Sequence, residues 1–163
     1  MAIKKGAPAA EAAVANTIRT YINAEVDDVK TAWNDSIPLP YPVQVYTGYR
    51  RIIPEYPAIV VSSVDGQETL DAASFWGQQE HRIDVSVICQ SDDIHVLDQQ
   101  TKRYLVAIWE VIKKHQDLDA SLSGLAGVAT RRYGRSEIYN IEKSHFLHQA
   151  AGWELAVHVD ESV

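Results

Sequence analysis

The chain has 163 residues, 46% of them hydrophobic, with one cysteine and a formal net charge of -7 at neutral pH. That length and apolar content suit a single domain, 1–163, with one sizeable core. The acidic balance argues against a protein whose main work is gripping nucleic acid or anionic membrane, and a lone cysteine excludes an intrachain disulfide.

Pro8 suits the first turn of a helix, where its fixed φ fits and its missing N–H would have had no partner. Val14, Ile18, Tyr21, Ile22, Val29 and Trp33 follow at helical spacing, which predicts a helix from about Pro8 to about Trp33. Asp27 and Asp28 near its end oppose the helix dipole, so an earlier stop or a kink near Asn23 would fit too. Five of the six prolines fall between residues 34 and 57. Proline cannot donate to a ladder and drives the preceding residue to extended geometry, so Ile37 to Pro42 should be irregular, part of an extended Pro-rich arm or loop at about 37–57. Within it Val43 to Tyr46 alternates like a short edge strand, and Gly48-Tyr49-Arg50-Arg51 follows as a turn. Ala58 to Val64 is β-branched and apolar, and Asp65-Gly66 closes it. Residues 67–77 have no period and read as a loop carrying Phe75 and Trp76 toward a partner.

From His81 to Cys89 the odd-numbered residues His81, Ile83, Val85, Val87 and Cys89 share one face of a strand, and Arg82, Asp84, Ser86 and Ile88 share the other. Ser91-Asp92-Asp93 can then cap a helix, whose apolar stripe is Leu97, Tyr104, Leu105, Ile108, Val111 and Ile112. Trp109 lies off the centre of that stripe, which predicts cover on two sides. A loop over 117–127, a strand over Val128 to Tyr133 with Gly134 interrupting it, and a final strand alternating from Trp153 to Asp160 complete the chain. Glu137 to Phe146 is too sparse in apolar residues to show a period. No apolar run reaches the ~20 residues of a membrane span, and the start of the chain lacks a signal-peptide core, so function without export is expected.

Candidate chemistry is thin. His81 and Asp84 resemble a base with its orienting carboxylate, yet residues three apart on a strand point to opposite faces. His145 and His148 would share a helix face as metal ligands, unless their segment enters the last strand, which separates them. There is no nucleophile elbow, phosphate loop or zinc-binding histidine motif. Two basic clusters remain, Arg50-Arg51 and Arg131-Arg132-Tyr133-Gly134-Arg135. They are open to three readings: a solvated strand face, a local nucleic-acid contact, or basic patches that meet acidic ones on the next copy of the same chain.

The order of features resembles the tail terminator or neck (head-tail joining) proteins of long-tailed bacteriophages. The strand Pro57-Ala58-Ile59-Val60-Val61 and the run His81-Arg82-Ile83-Asp84-Val85-Ser86-Val87 followed by Ser91-Asp92-Asp93 carry most of the likeness. The resemblance implies an α+β fold, with a mainly antiparallel or mixed sheet of about four to five strands and two long helices packed against it. It implies a virion protein, assembled in the host cytoplasm, that forms a ring of commonly six copies at the end of the tail tube. There it stops polymerisation and docks to the head connector. Partners would be its own copies, the tail tube protein and a head connector or head-closure protein, with DNA passing through unbound and no membrane, cofactor, metal or catalysis. Arg50, Arg51, Arg131, Arg132 and Arg135 are the expected contacts between subunits, and Phe75 and Trp76 face another partner. A head-closure or tail-completion adaptor is the nearest alternative. From other classes come a small ligand-binding or enzymatic domain with a pocket between helix and sheet, and a nucleic-acid-binding accessory protein.

Overall fold

The computed structural model describes residues 6–48, 52–63, 78–118, 126–133, 137–140 and 145–160. In chain order the elements are α1 (Gly6–Trp33), β1 (Gln44–Thr47), β2 (Ala58–Ser63), β3 (Gln78–Ser91), α2 (Ile94–Lys114), β4 (Ala126–Tyr133), β5 (Glu137–Asn140) and β6 (Leu147–Asp160). The fold is α+β, with both helices on one face of a mixed sheet ordered β1-β2-β3-β6-β4, and β5 also on β6. Among the described strands only β1 and β2 run parallel.

Six strands fill five positions. β3 occupies one edge of β6 over its whole length, so β4 and β5 must share the other edge end to end. Between Tyr133, opposite Trp153, and Glu137, opposite Ala150, the chain advances four residues while β6 advances three. β4 ends at Tyr133, and Gly134, expected to interrupt the strand, lies outside the described residues. A second irregularity leaves Ala129 as the extra residue between Val128 and Thr130, a bulge that bends an edge.

The period-2 reading of β3 holds. His81, Ile83, Val85, Val87 and Cys89 are buried beneath the helices, while Arg82 is exposed and Asp84, Ser86 and Ile88 are half-buried. On β6 the matching inward set is Ala151, Trp153, Leu155 and Val157. α1 buries Ala10, Ala13, Val14, Ile18, Ile22, Val26 and Val29, and its small alanines let the helix lie close to the sheet. α2 buries every residue of its expected stripe. Its N-cap is Asp93, whose carboxylate accepts the backbone N–H groups of His95 (2.8 Å) and Val96 (3.1 Å). Each fully buried Leu or Ile, such as Ile18, Ile83, Leu97 and Ile108, contributes roughly 2 kcal/mol by leaving water.

Trp109 explains the second covered side of α2. Its ring stacks on Trp153 of β6 at 5.0 Å, and Trp153 Nε1 donates to the Leu105 carbonyl at 2.9 Å. α1 covers the other flank and runs antiparallel, with Lys114 beside Glu25 and Arg103 beside Asp35.

The last strand starts at Leu147, six residues before the Trp153 start that alternation suggested. Its first half contains Ala150, Ala151 and Gly152, which have little strand propensity of their own. Gly152 stands where a Cβ would lie 2.5 Å from the Val85 carbonyl oxygen and 2.9 Å from Ser86 Oγ. Close approach of two backbones, invisible to a period count, selects the glycine.

Candidate assembly interface

β1 forms one lateral edge of the sheet, and β4 and β5 form the other. At the β1 edge, Arg19 of α1 donates through Nε (3.2 Å) and Nη2 (2.5 Å) to the carbonyl of Val45, which occupies an edge acceptor. At the other edge β4 carries the bulge at Ala129.

The segment between α1 and β1 is fastened across both helices. α1 ends at Asn34, whose φ of +43° turns the chain and whose N–H reaches the Lys30 carbonyl. Asp35 receives both terminal nitrogens of Arg103, at 2.6 and 2.5 Å, and this guanidinium holds the Asp35 carboxyl below the usual carboxylate value. The Pro38 carbonyl accepts from Gln100 at 2.6 Å, and the Pro40 carbonyl accepts from the Tyr104 hydroxyl. The Tyr41 hydroxyl then donates to Asp27, which pushes the phenol's pKa up. Proline is well suited here because its carbonyl remains a full acceptor while its absent N–H needs no partner.

This fastening leaves aromatic surface facing outward. Trp33 continues the apolar spacing of α1 in the sequence, yet it is 55% exposed, with the Arg103 guanidinium 4.7 Å above its ring. Lys30 sits 4.6 Å over the exposed ring of Tyr41, and Val43 is exposed just before β1.

A second exposed patch lies at the opposite edge. Tyr139 of β5 is 38% exposed and Phe146, just before β6, is 44% exposed. His148 is buried, stacked against Tyr139 and met edge-on by Tyr56. Its Nδ1 has no hydrogen-bond partner among the described residues, and burial pushes its pKa below the ordinary imidazole value. His148 is a strand residue, whereas His145 is exposed and outside the strand, so the two do not form a pair of ligands. Among the described residues no group of three or more His, Cys, Asp or Glu side chains could hold a metal.

Of the residues expected at interfaces, Arg50, Arg51, Phe75, Trp76 and Arg135 lie outside the described residues. Arg131 and Arg132 are consecutive in the edge strand β4, opposite Leu155 and Glu154. His81 and Asp84 fall on opposite faces as their spacing requires, His81 buried and Asp84 half-buried. Asp84 stands directly across from Glu154; burial first, then that neighbouring charge, raises its pKa. Sequence reasoning passed over Trp33, Tyr41, Val43, Tyr139 and Phe146. For Tyr41, Tyr139 and Phe146 the usable signal was an aromatic residue in a segment with too few apolar neighbours to form a core stripe; Trp33, which matches the α1 stripe, and Val43 gave no such signal.

No family model and no curated protein matches the chain. Among solved structures, a chain described as "Virion of native gene transfer agent (GTA) particle" aligns loosely, with a TM-score of 0.42 and 11% identity. That alignment covers 89% of this chain and 97% of that one. Among the described residues no helix is long and apolar enough to cross a membrane.

Proposed function

We propose that this chain is a structural subunit of a phage-like virion. It forms a ring, of six copies as the family resemblance implies, at the end of the tail tube, where it terminates tail polymerisation and joins the tail to the head connector. The observation that carries the assembly part is exposed apolar surface. Besides the two patches above, Ile52 is 79% and Ile94 57% exposed, on an acidic chain that buries its core residues fully. Exposed apolar surface of this kind supports reading the chain as one that another protein covers. The position at the tail end rests on the likeness in element order to tail terminator and neck proteins. On this reading the chain makes and breaks no bonds and needs no cofactor. Its net charge of -7 lets DNA pass without adhering.

Electron microscopy of particles containing the chain, with an affinity tag for gold labelling, tests the proposal. A ring at the head-proximal end of the tail tube is the expected result. Label at the head side of the connector interface would identify a head-closure adaptor instead, and a monomer that never enters a larger particle would overturn the reading.

A further inference from the structure

His148 is buried on the face of the sheet turned away from both helices. It pairs with Gln90 of β3, and the adjacent pair Cys89 and Gln149 is buried toward the helices, so alternation points His148 the other way. Two tyrosine rings cover it there. Tyr139, its direct partner on β5, stacks on it at 5.5 Å with 17° between the ring planes, and Tyr56, just ahead of β2, meets it at 4.9 Å and 61°. Both tyrosines belong to thinly anchored segments. β5 pairs with β6 over four residues, Glu137 to Asn140. Tyr56 precedes Pro57, whose carbonyl accepts the Val43 N–H at 2.9 Å and so holds the entry to β1. One imidazole thereby joins two separate segments to the sheet.

We propose that His148 is an acid-sensitive latch: neutral, it fastens β5 and the segment before β2 to the sheet through its two tyrosine contacts, and on protonation it releases both. Protonation places an N–H on Nδ1, where no acceptor lies among the described residues, and puts a charge where water is excluded. The groups around it supply no ready counterion. Tyr139 and Tyr56 are phenols whose pKa values burial pushes up, so both stay neutral, and Gln90 across the ladder on β3 is uncharged. The carboxylates nearest along the chain are Glu137, two residues from Tyr139 on β5, Asp92, exposed past the end of β3, and Glu55, exposed beside Tyr56. Burial pushes the pKa of His148 below the ordinary imidazole value. Attraction of an imidazolium to the phenol rings acts the other way, so the direction of titration is decisive. A histidine whose folded pKa is lowered leaves stability intact above the unfolded pKa and removes it as pH falls through that value toward the folded one. The latch therefore holds at neutral pH and opens on mild acidification. It stands independently of the assembly reading above.

Amide exchange of the full chain, followed by NMR from neutral pH down to about pH 5 and expressed as protection factors, reads the latch locally. Protection of residues 137–140 and of the Val43 N–H should fall about tenfold for each pH unit below the unfolded imidazole pKa until the folded value is reached. Residues 83–89 in the centre of the sheet should stay protected. His148→Phe keeps an aromatic ring between the two tyrosines and cannot titrate, so its protection should remain level over the same range, with circular dichroism checking that it folds. Equal loss of protection in both proteins, or loss in neither, overturns the proposal. Should His148→Phe fail to fold, the imidazole C–H resonances of the parent decide. A His148 that titrates below an unfolded histidine, with β5 resonances following the same midpoint, supports the latch. Titration at or above the ordinary value, or β5 resonances that do not follow it, overturns it.

Discussion

Arg19, midway along α1, places its guanidinium on the Val45 carbonyl of the outermost strand, 26 positions further along the chain. Nε and Nη2 both donate there, and Nη1 donates to Asn16 at 2.8 Å. One helix residue thereby orients the edge strand and caps it. Arg19→Ala is expected to cost about 1 kcal/mol from the lost hydrogen bonds and to raise concentration-dependent light scattering as the β1 edge becomes free to template pairing. Urea unfolding at low concentration separates the two effects.

Tyr104 is buried, and its hydroxyl holds the Pro40 carbonyl. Tyr104→Phe keeps the ring in the core and leaves that carbonyl without its donor, at an expected cost of about 1 kcal/mol. Limited proteolysis should show faster cleavage between residues 34 and 43 than in the parent, with the sheet still resistant. Unchanged cleavage would mean that Gln100 and Arg103 suffice to hold the segment.

Gly152 has no room for a side chain because the Val85 carbonyl lies 2.5 Å from where a Cβ would stand. Gly152→Ala should destabilise the fold by about 1–3 kcal/mol through forced separation of β3 and β6, and Gly152→Val by more. Chemical denaturation measures it; an unchanged midpoint would show that the two strands can part freely.

Asp35 and Asp84 should respond to pH with opposite signs. Asp35 is held below its ordinary value by Arg103, so its contribution is present above the unfolded-state pKa and is lost as pH falls through the folded one. Asp84 is raised by burial. Its charged form is therefore disfavoured in the fold, and stability falls as pH rises through the unfolded pKa toward the folded one. Asp35→Asn should remove part of the acid-side fall in Tm, and Asp84→Asn should raise Tm at neutral pH. A scan of Tm against pH for both variants and the parent tests both signs.

Hydrophobic periodicity made much of the architecture readable. β3 and α2 were legible almost to the residue because each buries one face, and burial writes a period of 2 or 3.6 directly into the order of side chains. β5 was not, because Ile138 and Tyr139 stand alone between turn-forming and charged residues and the strand exists only through its pairing with β6. Trp33 misled for a related reason. Its spacing matches the α1 stripe, but the helix ends there and the core does not extend beneath it, so Arg103 covers the ring instead of the sheet.

By itself the sequence determined the two helices, the inward face of β3, the capping aspartate and the acidic character of the chain, since each follows from local chemistry. Only the tertiary structure decided that β1 runs parallel to β2, that β4 and β5 share one edge of β6, and that the Pro-rich segment is tied across both helices. Those features depend on hydrogen bonds and backbone approaches between residues far apart in the chain, such as Arg19 with Val45 and Gly152 with Val85, and no local pattern encodes which distant partner a group will find.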